Sequence, residues 1–223
     1  MNVLNPMKGL NLSDVKVIWS TPDGEDAVAF CARVSNPENQ ISQETAPRLL
    51  KYLIKHKHWS PFEMANVCME IETTRDIARQ ILRHRSFSFQ EFSQRYADVK
   101  ELTNIALPEL RRQDIKNRQN STDDLEPEVV EDLNNKISVL FEQSNDLYNE
   151  LLEKGVAKEC ARFILPIATP SRLYMTGTIR SWMHYIDLRS ANGTQKEHMD
   201  IALECKSILE RELPNVCKAM WGE

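Results

Sequence analysis

Residues 73–96 read TTRDIARQILRHRSFSFQEFSQRY, and the two halves of that stretch obey different rules. In the first half Ile77, Ala78, Ile81 and Leu82 recur at helical spacing and predict a helix over 75–84 with one apolar face. Thr74 stands where a hydroxyl can cap it. Arg75, Arg79 and Arg83 step by four along another face. Gln80 lies three residues before Arg83 and four before His84, so these three reach the same end of the helix. The second half, SFSFQEFSQRY, has no clean period and reads as a functional loop over 86–96. Five arginines against Asp76 and Glu91 give residues 75–95 a local charge of +3, in a chain of formal net charge −5.

Upstream, VKVIWS (15–20) is a β-type run closed by the turn residues Pro22-Asp23-Gly24, and Glu25 and Asp26 open a helix over 25–34. Leu49, Leu50, Leu53 and Ile54 mark a second helix over 43–57, which the loop HWSPF (58–62) interrupts. Between Asn66 and Glu72 apolar and polar side chains alternate, as in a half-buried strand. Downstream, the polar stretch 103–126 with QNSTDD at its centre reads as exposed. Pro127 suits the first turn of a long helix to about 153, stopped at Gly155. A short helix through Arg162, a break at Pro166 and Pro170, and helices over 173–188 and 195–212 complete the chain. Helices dominate, strands are few and no repeat is present, so the expected class is α+β in a single domain, residues 1–223.

With 41% hydrophobic and 27% charged residues and a mean hydropathy of −0.48, the composition is that of an ordinary globular protein. No apolar run approaches the roughly 20 residues that cross a bilayer. The N-terminal MNVLNPMKGLNLSDV has no apolar stretch of a signal peptide, so a cytoplasmic protein without a membrane partner is expected. A pI near 5.7 argues against broad nucleic-acid binding. Cys31, Cys68, Cys160, Cys205 and Cys217 are scattered without a C-x-x-C pair, which fits reduced and mostly buried thiols. His56 and His58 lack a clear third ligand, so no metal is expected.

The arginines fall in three places: 83 to 95, Arg162, and 180 to 189. A guanidinium presents several donors in a rigid plane, which suits phosphate, carboxylate and the imide edge of a pyrimidine. A lone arginine is more often a surface residue paired with an acid. The triplet Arg83-His84-Arg85, set between a helix and a loop with its own Glu91, Ser93 and Arg95, weakens that reading for the group. Ser93 has no His or Asp placed to suggest a triad and serves better as a hydroxyl that binds phosphate or orients a ring. Phe87, Phe89 and Phe92 fit either stacking on a ring or packing of the loop onto the core, and Trp182, Tyr185 and Leu188 have core spacing. Two other classes would use the same arginines. A module for RNA or polyphosphate would bind with steep salt dependence. A metal-dependent phosphohydrolase would need a carboxylate and histidine cluster, and none stands out in the sequence.

The string RHRSFSFQEFSQRY (83–96) resembles the motif of flavin-dependent thymidylate synthases, an R-H-R with a serine eight residues beyond its second arginine, here Arg85 and Ser93. HWSPFE (58–63), ARFILP (161–166) and Leu188-Arg189 resemble three further segments of that family, in the same order. The resemblance implies a helix-rich domain around a small, mainly antiparallel sheet. It also implies conversion of dUMP to dTMP, with 5,10-methylenetetrahydrofolate as carbon donor, NADPH as reductant through FAD, and a homotetramer with shared active sites. With only six glycines and no G-x-G-x-x-G, FAD is implied by the resemblance alone. Carried over by position, Ser60, Arg83, His84, Arg85, Glu91, Thr178, Ile179, Arg180 and His184 contact the flavin. Gln80, Arg83, Glu91, Ser93, Gln94, Arg95, Arg162 and Arg189 contact the nucleotide, and Arg189 is the candidate catalytic residue, stabilising the ionised pyrimidine. The chain departs from the family at His184, where many members have asparagine, and at Ser190-Ala191-Asn192-Gly193, where many have a histidine. Asn192 and His198 are both candidates for that space, and the sequence does not choose between them.

Overall fold

The structure, a computed structural model, describes residues 14–42, 44–97, 102 and 109–222. The N-terminal residues 1–13, residue 43 of the expected second helix and residues 103–108 of the polar stretch lie outside the described residues. Along the chain run β1 (Asp14–Ser20), α1 (Gly24–Ala32), α2 (Ala46–Lys55), β2 (Asn66–Thr74), α3 (Arg75–Ile81), β3 (Ser88–Glu91), β4 (Arg112–Gln113) and β5 (Ser121–Thr122). There follow α4 (Pro127–Glu153), α5 (Lys158–Ala161), β6 (Pro170–Thr178), α6 (Ile179–Arg189), α7 (Lys196–Glu212) and α8 (Pro214–Trp221). The class is α+β, as the sequence predicts: mainly helix, around one small antiparallel sheet of order β1-β2-β6-β3.

The centre of that sheet is the pairing of β2 with β6, in register from Asn66 opposite Thr178 to Thr74 opposite Pro170. Inward side chains alternate on both strands: Val67, Met69 and Ile71 on β2, Leu173, Met175 and Gly177 on β6. They join one core with Ile77, Ala78 and Ile81 of α3, Trp182, Tyr185 and Ile186 of α6, and Ile201, Cys205 and Ile208 of α7. The buried indole of Trp182 donates from Nε1 to the Val67 carbonyl at 3.1 Å, so the polar atom of the largest core residue is satisfied.

Three expectations change. The helix expected over 173–188 is two elements, because residues 170–178 form a strand and the helix begins only at Ile179. Leu173, Met175 and Gly177 alternate with Tyr174, Thr176 and Thr178, and β2 and β3 satisfy the backbone on both edges. The loop expected over 86–96 contains β3, which pairs with β6 from Ser88 opposite Thr176 to Glu91 opposite Leu173. The third change is an added element, α8, which packs on α2. α4 spans the predicted range, and Gly155 just beyond it takes φ +83°, a conformation open to glycine. Within 109–126 the polar stretch closes into the β4–β5 hairpin, tied by Arg112 Nε to Asp124 at 3.0 Å.

Phe87, at the entrance to β3, is buried and settles its open reading as a core residue, with its ring 4.9 Å from that of Trp182. It lies so close to β6 that a Cβ on Gly177 would come within 2.5 Å of its ring. Gly177→Ala should therefore cost about 1–3 kcal/mol through overpacking. Urea unfolding should show a lower midpoint for this variant, and a second change, Phe87→Leu, should restore part of the loss; an unchanged midpoint would contradict the close approach.

Candidate active site

β2 runs into α3 and β6 into α6 without an intervening loop. Thr178 ends β6 with extended backbone and accepts a hydrogen bond from the Ser181 amide at 3.2 Å, capping α6. The Ile179 amide goes to the Ala65 carbonyl at 3.0 Å. With both amides engaged, ligand contacts at this end of α6 fall mainly to side chains. The Ile179 side chain is buried in the core, so only its backbone can reach a ligand.

The two strand-to-helix units bring their ends together. Arg189 Nε donates to His84 Nε2 at 2.9 Å, across 105 positions of sequence. The His84 ring stands edge-on to Tyr185 at 4.9 Å and lies 6.2 Å from the ring of His198. Burial, Arg189 and His184 push the His84 pKa down to about 4. Its imidazole is therefore neutral at pH 7 and offers the lone pair that anchors Arg189. His198 is fully buried and its pKa is pushed down to about 3, by burial first and by Arg189 and His84 next. Of the two candidates for the space where many members have a histidine, His198 is packed near His84, whereas Asn192 is exposed.

Gln80 sits at the end of α3 as the helical spacing predicts, with Oε1 3.4 Å from His198 Nδ1 and Nε2 donating to Gln195 at 2.7 Å. Arg83 and Arg85 are exposed in the turn between α3 and β3. Arg79, Arg83, Arg85 and Arg162 have no ion-pair partner among the described residues. Arg162 opens the short 3-10 turn Arg162–Ile164, between α5 and β6. Glu91, at the end of β3, accepts from Ser171 Oγ at 2.8 Å. Ser93 is exposed, and Gln94 beside it is buried with its Nε2 lacking any partner among the described residues. Arg95 pairs with Glu159 of α5 at 2.9 Å, and Lys158 reaches the Tyr96 carbonyl at 3.0 Å, so α5 holds the loop after β3. Ser60, itself exposed, begins the 3-10 turn Ser60–Glu63, which buries Phe62 and whose Glu63 pairs with Arg180.

The arrangement therefore joins His84 and Arg189 directly, with Gln80 bonded to the neighbouring His198, and places Arg83 and Arg85 on the α3–β3 connection and Glu91 at the far end of β3. Ser60, Thr178, Ile179 and Arg180 lie together at the start of α6, and Ser93, Gln94 and Arg95 at the end of β3. Sequence reasoning did not find Tyr185, Gln195, Glu197 or Arg111. Tyr185 is core as its spacing predicts, though its hydroxyl is also a polar partner; Leu188, expected in the core, is exposed. Arg111 binds Glu197 through Nη1 at 2.8 Å and Nη2 at 2.9 Å, with both side chains largely buried. Burial works against ionised Glu197, but Arg111, its own amide and Gln195 outweigh it and hold the carboxyl below its usual range. Removing one partner of such a buried pair costs about 3–5 kcal/mol. No thiol stands ready as a nucleophile in the core, since burial raises Cys68 and Cys205 and pushes Cys217 up to about 12.

The family model of thymidylate synthase complementing protein matches residues 16–215. The chain is 54% identical to a probable flavin-dependent thymidylate synthase of Paramecium bursaria Chlorella virus 1, over 92% of this chain and 94% of the relative. It is 50% identical to the flavin-dependent thymidylate synthase of Synechocystis sp. (strain ATCC 27184 / PCC 6803 / Kazusa), over 88% and 89%. Among solved structures it resembles the UMP/dUMP methylase PolB from Streptomyces cacaoi bound with 5-Br dUMP, with a TM-score of 0.80, 26% identity and 93% of both chains covered. The chain belongs to the thymidylate synthase complementing protein family, that of the flavin-dependent thymidylate synthases.

The two neutral histidines set an acid limit. Both have folded pKa values far below the ordinary 6.5, so protons bind the unfolded chain more readily. Their contribution to stability is complete above pH 6.5 and is lost as pH falls through about 4 and then about 3. Thermal melting should be flat in this contribution from pH 8 to 7 and decline below 6.5. His84→Asn should show a shallower decline, and an equal slope in both proteins would rule His84 out as a cause.

Proposed function

We propose that this chain, acting as a single domain over residues 1–223, is a flavin-dependent thymidylate synthase that methylates dUMP to dTMP. The observation that carries the reading is the Arg189–His84 contact: Nε of the guanidinium is anchored on a neutral imidazole, which leaves both Nη groups without a partner among the described residues. Such a fixed pair of donors suits the O2 carbonyl of uracil and stabilises negative charge that develops on the ring. The solved relative named a UMP/dUMP methylase and the curated relatives named thymidylate synthases support dUMP as substrate.

The donor set fits FAD. Arg83 and Arg85 offer unpaired cations for its pyrophosphate, and Ser60, Thr178 and Arg180 offer side-chain contacts at the start of α6. The buried, partnerless Nε2 of Gln94 is a donor suited to an acceptor on a bound nucleotide. Ile179 contributes backbone, His84 and His184 lie close to one another, and Glu91 is a further flavin contact of the same proposal. The flavin, when bound and reduced by NADPH, supplies the two electrons that bring the methylene unit of 5,10-methylenetetrahydrofolate to the methyl level. The chain's own residues bind and orient. Gln80 and Arg189 meet the pyrimidine, while Ser93, Arg95 and Arg162 bind the phosphate side. Glu91 stands between nucleotide and flavin, held by Ser171.

The same reading includes a homotetramer with shared sites. Leu133, Leu140 and Leu147 are exposed on α4 at seven-residue spacing, an apolar seam of the kind that a second copy covers. A cytoplasmic location belongs to the same proposal; no described helix is long and apolar enough to cross a membrane.

Purified protein should be yellow, and NADPH should bleach its visible absorption faster with dUMP present. A colourless protein that neither binds added FAD nor turns over dUMP would sink the proposal. Arg189→Ala should lower kcat for dTMP by about 10²–10³-fold with an unchanged melting temperature; near-normal turnover would remove Arg189 from the catalytic role. Leu140→Glu should dissociate the oligomer and abolish activity together, read by light scattering and turnover, and an active monomer would contradict shared sites.

A further inference from the structure

Arg111, Glu197, Gln195, Gln80, His198 and Tyr185 form an unbroken chain of hydrogen bonds whose polarity is fixed from one end. Arg111 holds Glu197 ionised, and a carboxylate can only accept. Gln195 therefore donates to it from Nε2, at 2.9 Å, and turns its Oε1 toward Gln80. Gln80 must then donate from Nε2, at 2.7 Å, which leaves its Oε1 facing His198 Nδ1 at 3.4 Å. His198 must carry its proton on Nδ1, so the bare Nε2 accepts from the Tyr185 hydroxyl at 3.1 Å. Each carboxamide or ring alone could turn over; the ionised end removes that choice along the row.

Gln80 is left with one N–H and one oxygen lone pair, in a set order. A pyrimidine edge reads that order. Uracil offers O4 as acceptor beside N3–H as donor. Cytosine offers an amino group beside a bare N3, and would need the carboxamide turned over. A carboxamide free to turn meets either base, while a locked one selects.

Resting on the assignment of Gln80 to the nucleotide, we propose that Arg111 and Glu197 acting through Gln195 on one side, with His198 and Tyr185 on the other, lock the Gln80 carboxamide so that the site accepts uracil and rejects cytosine nucleotides. None of the five touches the substrate; they are positioning residues. Through them the segment entering the β4–β5 hairpin gains a part in base recognition, although it lies 86 positions from Glu197 in sequence.

The test uses the full-length FAD-loaded enzyme, with dUMP and dCMP titrated separately and followed by the flavin absorption change. Wild type should prefer dUMP. Gln195→Ala, at an exposed position, should keep its melting temperature yet lower the dUMP-to-dCMP preference at least about tenfold, chiefly by admitting dCMP. Glu197→Gln should lower the preference likewise, with a lower melting temperature because Arg111 loses its buried partner, and if that variant fails to fold, Gln195→Ala decides. His198→Asn, whose amide can replace the Nδ1–H donor, should retain more of the preference than His198→Leu. Preference unchanged in Gln195→Ala, or equal weakening of both nucleotides, would overturn the inference while leaving the proposed function standing. A wild type that binds neither nucleotide would overturn both.

Discussion

The nine-residue ladder between β2 and β6 is the constraint on which the rest of the molecule depends. It joins segments about a hundred positions apart, and each strand passes straight into a helix, at Thr74–Arg75 and Thr178–Ile179. The placing of those two joints decides where α3 and α6 lie, and so where His84 meets Arg189. β6 is flanked by β2 and β3, so its backbone groups are satisfied on both sides, and its proline stands at the first position, where a missing amide is tolerated. Shift the ladder by one residue and Leu173, Met175 and Gly177 would turn away from the core.

Within that frame the arginines divide by whether the fold already answers their charge. Arg95, Arg111, Arg172 and Arg180 pair with Glu159, Glu197, Glu72 and Glu63, and they tie loops and strands together. Arg79, Arg83, Arg85 and Arg162 stay without an ion-pair partner among the described residues, in a chain with an excess of acids. Unanswered cations, Arg83 and Arg85 among them in one turn, favour an anion supplied from outside. Arg189 belongs to neither group. It rests on His84, and it can do so because burial keeps that imidazole neutral; a charged ring would repel the guanidinium. The same burial keeps His198 neutral, so its two nitrogens can accept on one side and donate on the other.

Much was legible in sequence where the signal is local. α4 has Pro127 at its first turn and Gly155 beyond its end, and it spans the predicted length. β2 announces itself by strict alternation, and α3 by its apolar spacing. The candidate site was legible because its residues are concentrated in the string from Arg83 to Arg95. β6 was not, because its period-two pattern is short, contains a glycine and runs directly into a helix whose spacing dominates the window. β3 was hidden for a related reason: residues 88–91 are too few to show a period, and they become a strand only because β6 lies alongside.

The sequence by itself determined the helical content, the α+β class and the arginine-rich segment, since each depends on neighbours within a few residues. The tertiary structure alone decided the β2–β6 register, the anchoring of Arg189 on His84 and the row from Arg111 to Tyr185. Those contacts join groups distant along the chain, and a hydrogen bond or the loss of a charge on burial depends on separation in space, which local pattern does not carry.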